Sequence, residues 1–264
     1  MIGFRESRLA RTVRLLVAGL VVALFAVPLV LIVATSFEGE GAVGNYGAVL
    51  QRTPFLRYAW NSLVIAALTV ALVYVVTMLA GYGLTKLGLR GRTLIFSAIL
   101  VGLVMPVLTI IVPIFITVQR LGLFSHPLAV VVPLSAVVVP FTLTLVKGYL
   151  DDLPDEILEA ARVDGATTFG TLIRIVIPLS GPISAVVILW TFLQAWNEFF
   201  LPLLVMQRED SRAITQIPAY FTSQYGSDVP KIFAALVLMS LPVTIAYLLA
   251  QRSFQQGLTA GSLK

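Results

Sequence analysis

The sequence predicts an all-α integral membrane protein with six transmembrane helices, both termini in the cytoplasm, and a polar helical loop between spans four and five. Three observations support this fold class. The composition is far more apolar than that of a water-soluble domain, and the chain contains six long apolar runs. Most lysine and arginine residues lie on the segments that share one side of the membrane if each run crosses it.

Composition sets the first limits on function. Hydrophobic residues make up 58% of the 264 residues and charged residues only 12%, and the mean hydropathy is +0.97. The absence of cysteine and the single histidine exclude a disulfide framework and thiolate chemistry, and leave few soft ligands for a metal. The net charge of +5 comes from basic residues at the ends of apolar runs, so it indicates membrane topology and not nucleic-acid binding.

Six apolar stretches are long enough to cross a bilayer, which takes about 20 residues in a helix. They lie at about 13–34, 60–85, 93–119, 127–147, 183–206 and 232–252. We expect them to form a single transmembrane domain over 1–264. The first run is longer than the core of a secretory signal and lacks a clear cleavage site, so we interpret it as a retained span. Prolines such as Pro106 and Pro140 predict bent helices.

The distribution of lysine and arginine predicts the orientation. With the N-terminus inside, twelve of the 18 basic residues fall on cytoplasmic segments and six on external ones. An even number of spans brings both termini to one side, so the chain is predicted to be N-in and C-in. Segment 148–182 then lies in the cytoplasm.

Segment 148–182 begins with the signals of a short helix that a glycine ends. Pro154 followed by Asp155 and Glu156 is typical of a helix start, where acidic side chains complement the helix dipole. Gly165 predicts a left-handed residue at the end of this helix.

The signals of a second helix follow. Thr167 or Thr168 can cap it, and apolar residues then recur at helical spacing. Pro178 and the pair Gly181-Pro182 are predicted to end it before span five.

Two amphipathic helices at this position have three interpretations. They can lie on the lipid surface, dock into a partner protein, or simply connect two spans. Between Asp151 and Arg174 the loop carries six acidic and two basic residues, the wrong sign for an anionic inner leaflet. Its length and paired caps exceed what a simple connection needs. We therefore predict a protein partner.

Three short motifs in this loop resemble a known family. Glu159-Ala160-Ala161, Asp164-Gly165-Ala166 and Ile175-x-Ile177-Pro178 match the E-A-A-x-x-D-G-A…I-x-L-P loop of permease subunits of ATP-binding-cassette importers, with isoleucine where leucine is usual at position 177. Further segments resemble the carbohydrate-uptake branch and its smaller maltose-type permease: Asn61-Ser62, Trp196-Asn197-Glu198 and Gly257-Leu258-Thr259-Ala260-Gly261. The resemblance covers most of the chain and is weakest in the outer loops.

The resemblance implies that this loop couples the chain to a separate cytoplasmic ATPase. ATP and Mg²⁺ would be bound by that ATPase, and no cofactor by this chain. The sequence agrees, since it lacks the G-x-x-x-x-G-K-[ST] phosphate loop. The residues expected at the ATPase contact are Glu159, Ala160, Ala161, Asp164, Gly165, Ala166, Ile175 and Pro178.

Other partners are implied as well. A second, non-identical permease would share the bilayer with this chain, and an external solute-binding protein would deliver the solute. We expect the binding protein to dock on outer surfaces that include the stretch 207–231, with Tyr220, Phe221 and Tyr225 as aromatic contacts. The tail 257–261 would reach towards the ATPase, the alternative being a frayed terminus.

Span five carries polar residues that are unusual within a membrane. Thr191, Gln194, Asn197 and Glu198 recur at helical spacing, and Trp196 lies among them. Two interpretations remain open. The amides and the carboxylate can line a pathway for a sugar, with tryptophan stacking on its ring, or the same groups can hydrogen-bond to neighbouring helices.

The resemblance therefore implies a non-catalytic permease subunit of an ATP-driven importer for a sugar or sugar-like solute. A proton-coupled secondary carrier that uses Glu198 is the alternative, but the inverted repeats and several buried ionisable groups of that class are not evident. An intramembrane hydrolase is disfavoured because the only histidine, His126, falls in a loop and the spans hold no aspartate.

Overall fold

The computed structural model describes residues 8–104, 106–224 and 226–260, and this part of the chain is almost entirely helical. The helices in order are α1 (Arg8–Thr35), α2 (Gly41–Arg52), α3 (Phe55–Lys86), α4 (Arg92–Val104), α5 (Val107–Arg120), α6 (Leu128–Asp151), α7 (Asp155–Val163), α8 (Thr168–Thr171), α9 (Ile177–Leu179), α10 (Gly181–Trp196), α11 (Phe200–Val205) and α12 (Val229–Ala260). A π-helical turn (Leu172–Val176) joins α8 to α9. Two 3₁₀ segments (Glu209–Ser211 and Ile214–Phe221) and an antiparallel pair, β1 (Thr222–Ser223) and β2 (Gly226–Ser227), precede α12. The predicted all-α class is confirmed.

The described residues contain four single helices that are long and apolar enough to cross a membrane: Arg11–Thr35, Phe55–Lys86, Leu128–Asp151 and Val229–Gln251. Two further pairs pass the same test only when taken together: Arg92–Val104 with Leu108–Arg120, bent by 101°, and Thr168–Leu179 with Gly181–Trp196, bent by 82°. The described part thus has four spans, or up to six if each bent pair crosses once. The six-span count and the N-in orientation remain predictions.

Two of the predicted spans are divided in the structure. The stretch predicted at 93–119 is shared between α4 and α5, with Pro106 as the extended N-cap residue of α5. Proline has no backbone N–H to donate, so a helix that passes through it loses a hydrogen bond. The stretch predicted at 183–206 is also divided, because α10 ends at Trp196 and α11 begins only at Phe200.

The chain forms two compact units. Among the described residues, the larger falls within Phe55–Gln216 and Leu241–Lys264, and the smaller within Met1–Pro54 and Ile217–Ser240. In the larger unit, α3, α6 and α10 meet through buried apolar side chains: Ile65, Ala66, Val73, Leu134, Val138, Val146, Leu150, Ile183, Val186 and Val187. Gly81 lets α3 approach α6 closely, since a Cβ atom there would lie 2.6 Å from Val146 Cγ1. The ends of this close helix pair carry the features described below.

The smaller unit contains a buried polar cluster that the sequence did not predict. Asn45 of α2 is fully buried and donates from Nδ2 to Ser36 O at 2.9 Å and to Glu38 O at 2.7 Å. Lys231, in the first turn of α12, is only 6% exposed, and its Nζ donates to Glu40 Oε1 at 2.8 Å and to an Asp228 carboxylate oxygen. These contacts hold the turn after α1 against α2 and against the start of α12.

Cysteine labelling tests the orientation, because the chain has no cysteine of its own. In cells with an opened outer envelope, a membrane-impermeant maleimide should label Val43→Cys and Gln224→Cys, and should label Arg90→Cys and Val163→Cys only after the inner membrane is permeabilised. All four native side chains are exposed, whereas the nearby Asn45 is buried and would report poorly. Labelling of Val163→Cys before permeabilisation would reverse the orientation.

Candidate functional site

The first loop helix, α7, begins where the acidic residues predict. Pro154 is its N-cap residue, and Asp155 and Glu156 occupy its first turn. Both carboxylates lie near the positive end of the helix dipole, which stabilises the start of the helix. At nine residues, α7 is too short to be stable alone in water, so its packing on the rest of the chain must hold it in place.

Gly165 ends α7 in the left-handed conformation, with a φ of +78°. Its N–H donates to Arg162 O at 3.0 Å, and the N–H of Ala166 donates to Ala161 O at 2.9 Å. Together these bonds form a Schellman motif, which satisfies carbonyl groups that a helix end leaves without partners. The predicted left-handed stop at Gly165 is confirmed, and a residue with a side chain would hold this φ at a cost of about 1 kcal/mol.

The second loop helix is capped by Thr167, one of the two predicted candidates. Its Oγ1 accepts the Gly170 N–H at 3.1 Å, which satisfies one of the donors left over at the start of α8. Helical structure then continues through the π-helical turn to the end of α9.

The helix ends between Pro178 and the pair Gly181-Pro182, as predicted, although Pro178 itself lies inside the helix. The helix runs to Leu179, and the break before α10 lies at Ser180. The π-helical turn immediately precedes the proline, and in it the Ile177 N–H donates to Leu172 O, five residues back. In this wide turn the backbone hydrogen bonds span five residues instead of four. The turn therefore alters the helical hydrogen bonds just before Pro178, which has no N–H to donate.

The two loop helices have a buried and an exposed side. Leu158 and Leu172 belong to the apolar core of the larger unit. In contrast, Val163 is 88% exposed, Phe169 63% and Ile173 48%. In segment 148–182, which the sequence predicts to lie in the cytoplasm, large apolar side chains this exposed are typical of a surface that another protein covers.

The ends of α3 and α6 hold the loop in place. Lys86, the last residue of α3, donates from Nζ to Leu153 O at 2.6 Å and to Asp155 Oδ1 at 2.7 Å. The Lys86 ammonium group hydrogen-bonded to Asp155 lowers the pKa of that carboxyl, so the Asp155 carboxylate stays ionised at neutral pH. Near the end of α6, the Tyr149 hydroxyl donates to Leu179 O at 2.9 Å.

The residues predicted to contact an ATPase fall into three groups by exposure. Five of them are exposed: Glu159, Ala160, Asp164, Gly165 and Pro178. Ala166 and Ile175 are half-buried. Ala161 is only 4% exposed, so in this structure it supports the loop from inside instead of facing a partner.

The polar series of span five does not lie on one helical face, in contrast to the sequence pattern. Thr191 and Gln194 are in α10, the first buried and the second exposed. Asn197 is the C-cap residue of α10, and Glu198 lies beyond the helix end.

Asn197 and Glu198 have partners within the chain. Asn197 Nδ2 donates to Leu193 O at 2.9 Å. Glu198 Oε1 accepts the Leu201 N–H at 3.0 Å near the start of α11, and Glu198 O accepts the Thr215 hydroxyl at 3.0 Å. A carboxylate in this position stabilises the helix start. These contacts favour the interpretation in which the polar groups bond to their own chain.

The two buried members of the series differ. Trp196 is 4% exposed, and its ring stacks on Phe192 with 5.8 Å between centroids. Thr191 Oγ1 is buried and has no hydrogen-bond partner in the described structure. Because Thr191 is fully buried, neither a solute nor a second protein can reach its hydroxyl in this structure.

Asn61 and Ser62, which the sequence indicated only by resemblance, have structural roles. Asn61 Nδ2 donates to Asp210 O and to Arg212 O, both at 2.9 Å. Ser62 Oγ accepts the Ile214 N–H at 2.9 Å. The first turns of α3 thus hold the segment that follows α11.

Two predicted features reach the limits of the described residues. The backbone of Gly257, Leu258, Thr259 and Ala260 is the end of α12, whereas Gly261 and the predicted aromatic contact Tyr225 lie outside the described residues. Within the described ranges, no group of three or more His, Cys, Asp or Glu side chains is placed to hold a metal ion.

The fold and the anchored loop define a membrane-embedded helical subunit whose polar loop exposes large apolar side chains. Residues 74–259 match the family model of the binding-protein-dependent transport system inner membrane component, and the chain belongs to this family. It is a multi-pass protein of the inner membrane and a permease subunit of an ATP-binding-cassette importer.

Named relatives agree with this assignment. The chain is 30% identical over 276 residues to the trehalose/maltose transport system permease protein of Thermococcus litoralis, covering 98% of this chain and 99% of the relative. It is 30% identical to the sulfoquinovosyl glycerol transport system permease protein of Agrobacterium fabrum, covering 87% and 81%. The resemblance to the carbohydrate-uptake branch is confirmed, and these findings do not support the secondary-carrier alternative.

A solved structure shares the fold. The crystal structure of a bacterial ABC transporter involved in the import of the acidic polysaccharide alginate includes a chain that matches with a TM-score of 0.79 at 20% sequence identity. The match covers 96% of this chain and 99% of that chain.

Proposed function

We propose that this chain is the subunit through which an ATP-driven importer moves a sugar or sugar-like solute across the inner membrane. The relatives' names assign to their systems trehalose and maltose, arabinooligosaccharides, diacetylchitobiose and sulfoquinovosyl glycerol. These solutes share polyhydroxylated rings, so the proposal concerns a chemical class and not one sugar.

The anchored loop is the observation that carries the proposal. Lys86 and Tyr149 fix it to the ends of α3 and α6, while Val163 and Phe169 face outward. A partner bound to the exposed side can therefore move both helices without a flexible connection. We propose that this partner is a cytoplasmic ATPase subunit whose surface offers apolar contacts and basic groups to the acidic loop.

The energy source follows from the sequence. The chain has no phosphate-binding loop of the G-x-x-x-x-G-K-[ST] type, so we propose that ATP and Mg²⁺ bind to the partner and that this chain hydrolyses nothing. The predicted contact residues of 148–182 remain our proposal for the coupling surface, with Ala161 as a buried support.

We propose an external binding protein and a second, non-identical permease as further partners. Tyr220 is exposed in the stretch 207–231, which supports a docking role for it, whereas Lys231 is buried and does not present its charge to a partner. The apolar side chains of the span Arg11–Thr35 are exposed in the single chain. They are therefore available to contact lipid or the second permease.

The solute pathway is the least constrained part of the proposal. We keep Thr191, Gln194, Trp196, Asn197 and Glu198 as its candidate residues. Gln194 and Asn197 are exposed, which supports contact with a solute, whereas Thr191 is fully buried in this structure. Trp196 and Glu198 have partners within the chain, so we expect them to shape the pathway instead of binding the solute.

Reconstitution into liposomes tests the proposal. The purified chain alone should neither hydrolyse ATP nor take up labelled maltose, trehalose, arabinotriose or diacetylchitobiose. With the ATPase, the second permease and the binding protein that co-purify with it from native membranes, ATP hydrolysis and uptake of at least one of these sugars should both appear. Proton-driven counterflow by the chain alone, lost in Glu198→Gln, would contradict the proposal and favour a secondary carrier.

A further inference from the structure

We propose that the larger unit carries a saccharide-binding pocket at the end opposite the coupling loop, where solute first meets this subunit. This inference rests on the proposed function, which makes that end external. The cavity has a volume of about 270 Å³. Its polar and aromatic lining comes from three separate segments: Trp60, Asn61, Ser125, Arg208, Asp210 and Ser211.

The position of the cavity follows from the helices that line it. Trp60 and Asn61 belong to the first turns of α3, and Ser125 lies just before α6. The last residue of α3 is Lys86, which contacts the loop, and α6 also ends next to the loop. The cavity and the coupling loop are therefore at opposite ends of the same two helices.

The walls of the cavity are fixed by hydrogen bonds. Asn61 holds the carbonyl groups of Asp210 and Arg212. Ser125 donates its N–H to Val205 O at 2.8 Å, and its Oγ accepts the Arg208 N–H at 3.0 Å. A pocket whose lining is held in this way loses little conformational entropy when a ligand binds.

Ser125 is also strained. Its φ is +61°, the one positive φ of a residue other than glycine in the described part of the chain. A left-handed conformation costs about 1 kcal/mol in such a residue, and strain of this kind concentrates at binding and catalytic sites. The two hydrogen bonds of Ser125 maintain the strained turn and place Arg208 at the cavity.

The lining suits a neutral, polyhydroxylated ring. Trp60 is 64% exposed and offers an aromatic surface for the apolar face of a sugar. Asn61 keeps its Oδ1 as an acceptor, and Ser211, Arg208 and Asp210 supply further donors and acceptors for hydroxyl groups. Arg208 and Asp210 are paired at 3.3 Å, so their charges cancel and an anionic solute gains no net attraction.

Transport by the complete reconstituted importer tests the pocket, with the four labelled sugars named above as probes. Trp60→Ala should lower uptake about tenfold through loss of the aromatic contact, and Trp60→Phe should retain most of it. Arg208→Ala should also lower uptake. Leu56→Ala is the matched control, because Leu56 lies one turn earlier on α3, is 79% exposed and does not line the cavity.

Docking of the binding protein is measured in parallel, since it meets the same end of the transporter. With a sugar pocket, the sugar-free binding protein should dock equally well on wild type and on Trp60→Ala. If the binding protein docks more weakly on Trp60→Ala than on wild type, and by the same factor with and without sugar, the cavity is a protein interface. That result would overturn the inference. Wild-type uptake by both Trp60→Ala and Arg208→Ala would overturn it too. Failure of the wild-type importer to take up any probe would instead reject the proposed function on which the pocket rests.

Discussion

The Gly165→Pro variant is expected to insert into the membrane in normal amounts and to import no solute. Proline requires a φ near −65°, whereas Gly165 adopts +78°, and proline has no N–H to donate to Arg162 O. The Schellman motif cannot form, so the chain leaves the end of α7 in a different direction. The orientation of α8 relative to α7 and its exposed Val163 therefore changes. Uptake and ATP hydrolysis by the reconstituted importer measure the effect.

A second glycine of the same region is the control. Gly148 lies inside α6, has no positive φ, and a Cβ atom there would have no neighbour within 4 Å. Gly148→Ala should therefore retain wild-type uptake, and Gly165→Ala, with a left-handed strain of about 1 kcal/mol, should lose only part of it. Normal uptake by Gly165→Pro would remove the basis for coupling through this loop. A loss of inserted protein that matches the loss of uptake would point to folding instead.

The loop was predictable because its signals are local. Acidic residues after Pro154, the glycine at 165 and the capping threonine at 167 each act within about one helical turn, and the structure has each of them in its expected role. The π-helical turn before Pro178 was not predictable, because no residue pattern indicated it.

The polar series of span five shows where periodicity fails. Helical spacing places 191, 194, 197 and 198 on one face only if the helix continues, and nothing in the local pattern predicted that α10 would end at Trp196. The end is stabilised by contacts across the chain, such as the bond from the Thr215 hydroxyl to Glu198 O. Long apolar helices such as α3 and α6 were predictable, and Pro106 indicated the break between α4 and α5, whereas the break between α10 and α11 has no such local signal.

The outer residues depended on partners that are distant in sequence. Asn61 and Ser62 resembled a family signature, but their hydrogen bonds reach residues near position 212, which no spacing rule connects to them. Lys231 was counted as one of six external basic residues, yet its side chain is buried. Its carboxylate partner Glu40 lies 191 residues earlier in the chain.

Lys231→Met is expected to lower the stability of the smaller unit by about 2 kcal/mol. The ammonium group is buried beside two carboxylates, Glu40 and Asp228, and its loss leaves two negative charges close together without a cation. Removing one partner of a fully buried ion pair costs about 3–5 kcal/mol. The effect here should be smaller, because the side chains of Glu40 and Asp228 are 53% and 39% exposed and keep part of their hydration.

A combination of variants separates charge from packing. Lys231→Met with Glu40→Gln and Asp228→Asn removes the repulsion while it keeps the size of each side chain, and asparagine still accepts the Lys231 backbone N–H that Asp228 Oδ1 accepts at 3.4 Å. This triple variant should recover most of the lost stability in chemical unfolding of the purified chain in mixed micelles. If the triple variant is as unstable as Lys231→Met alone, the lysine acts through packing of its aliphatic stem and the charge cluster is not what stabilises this turn.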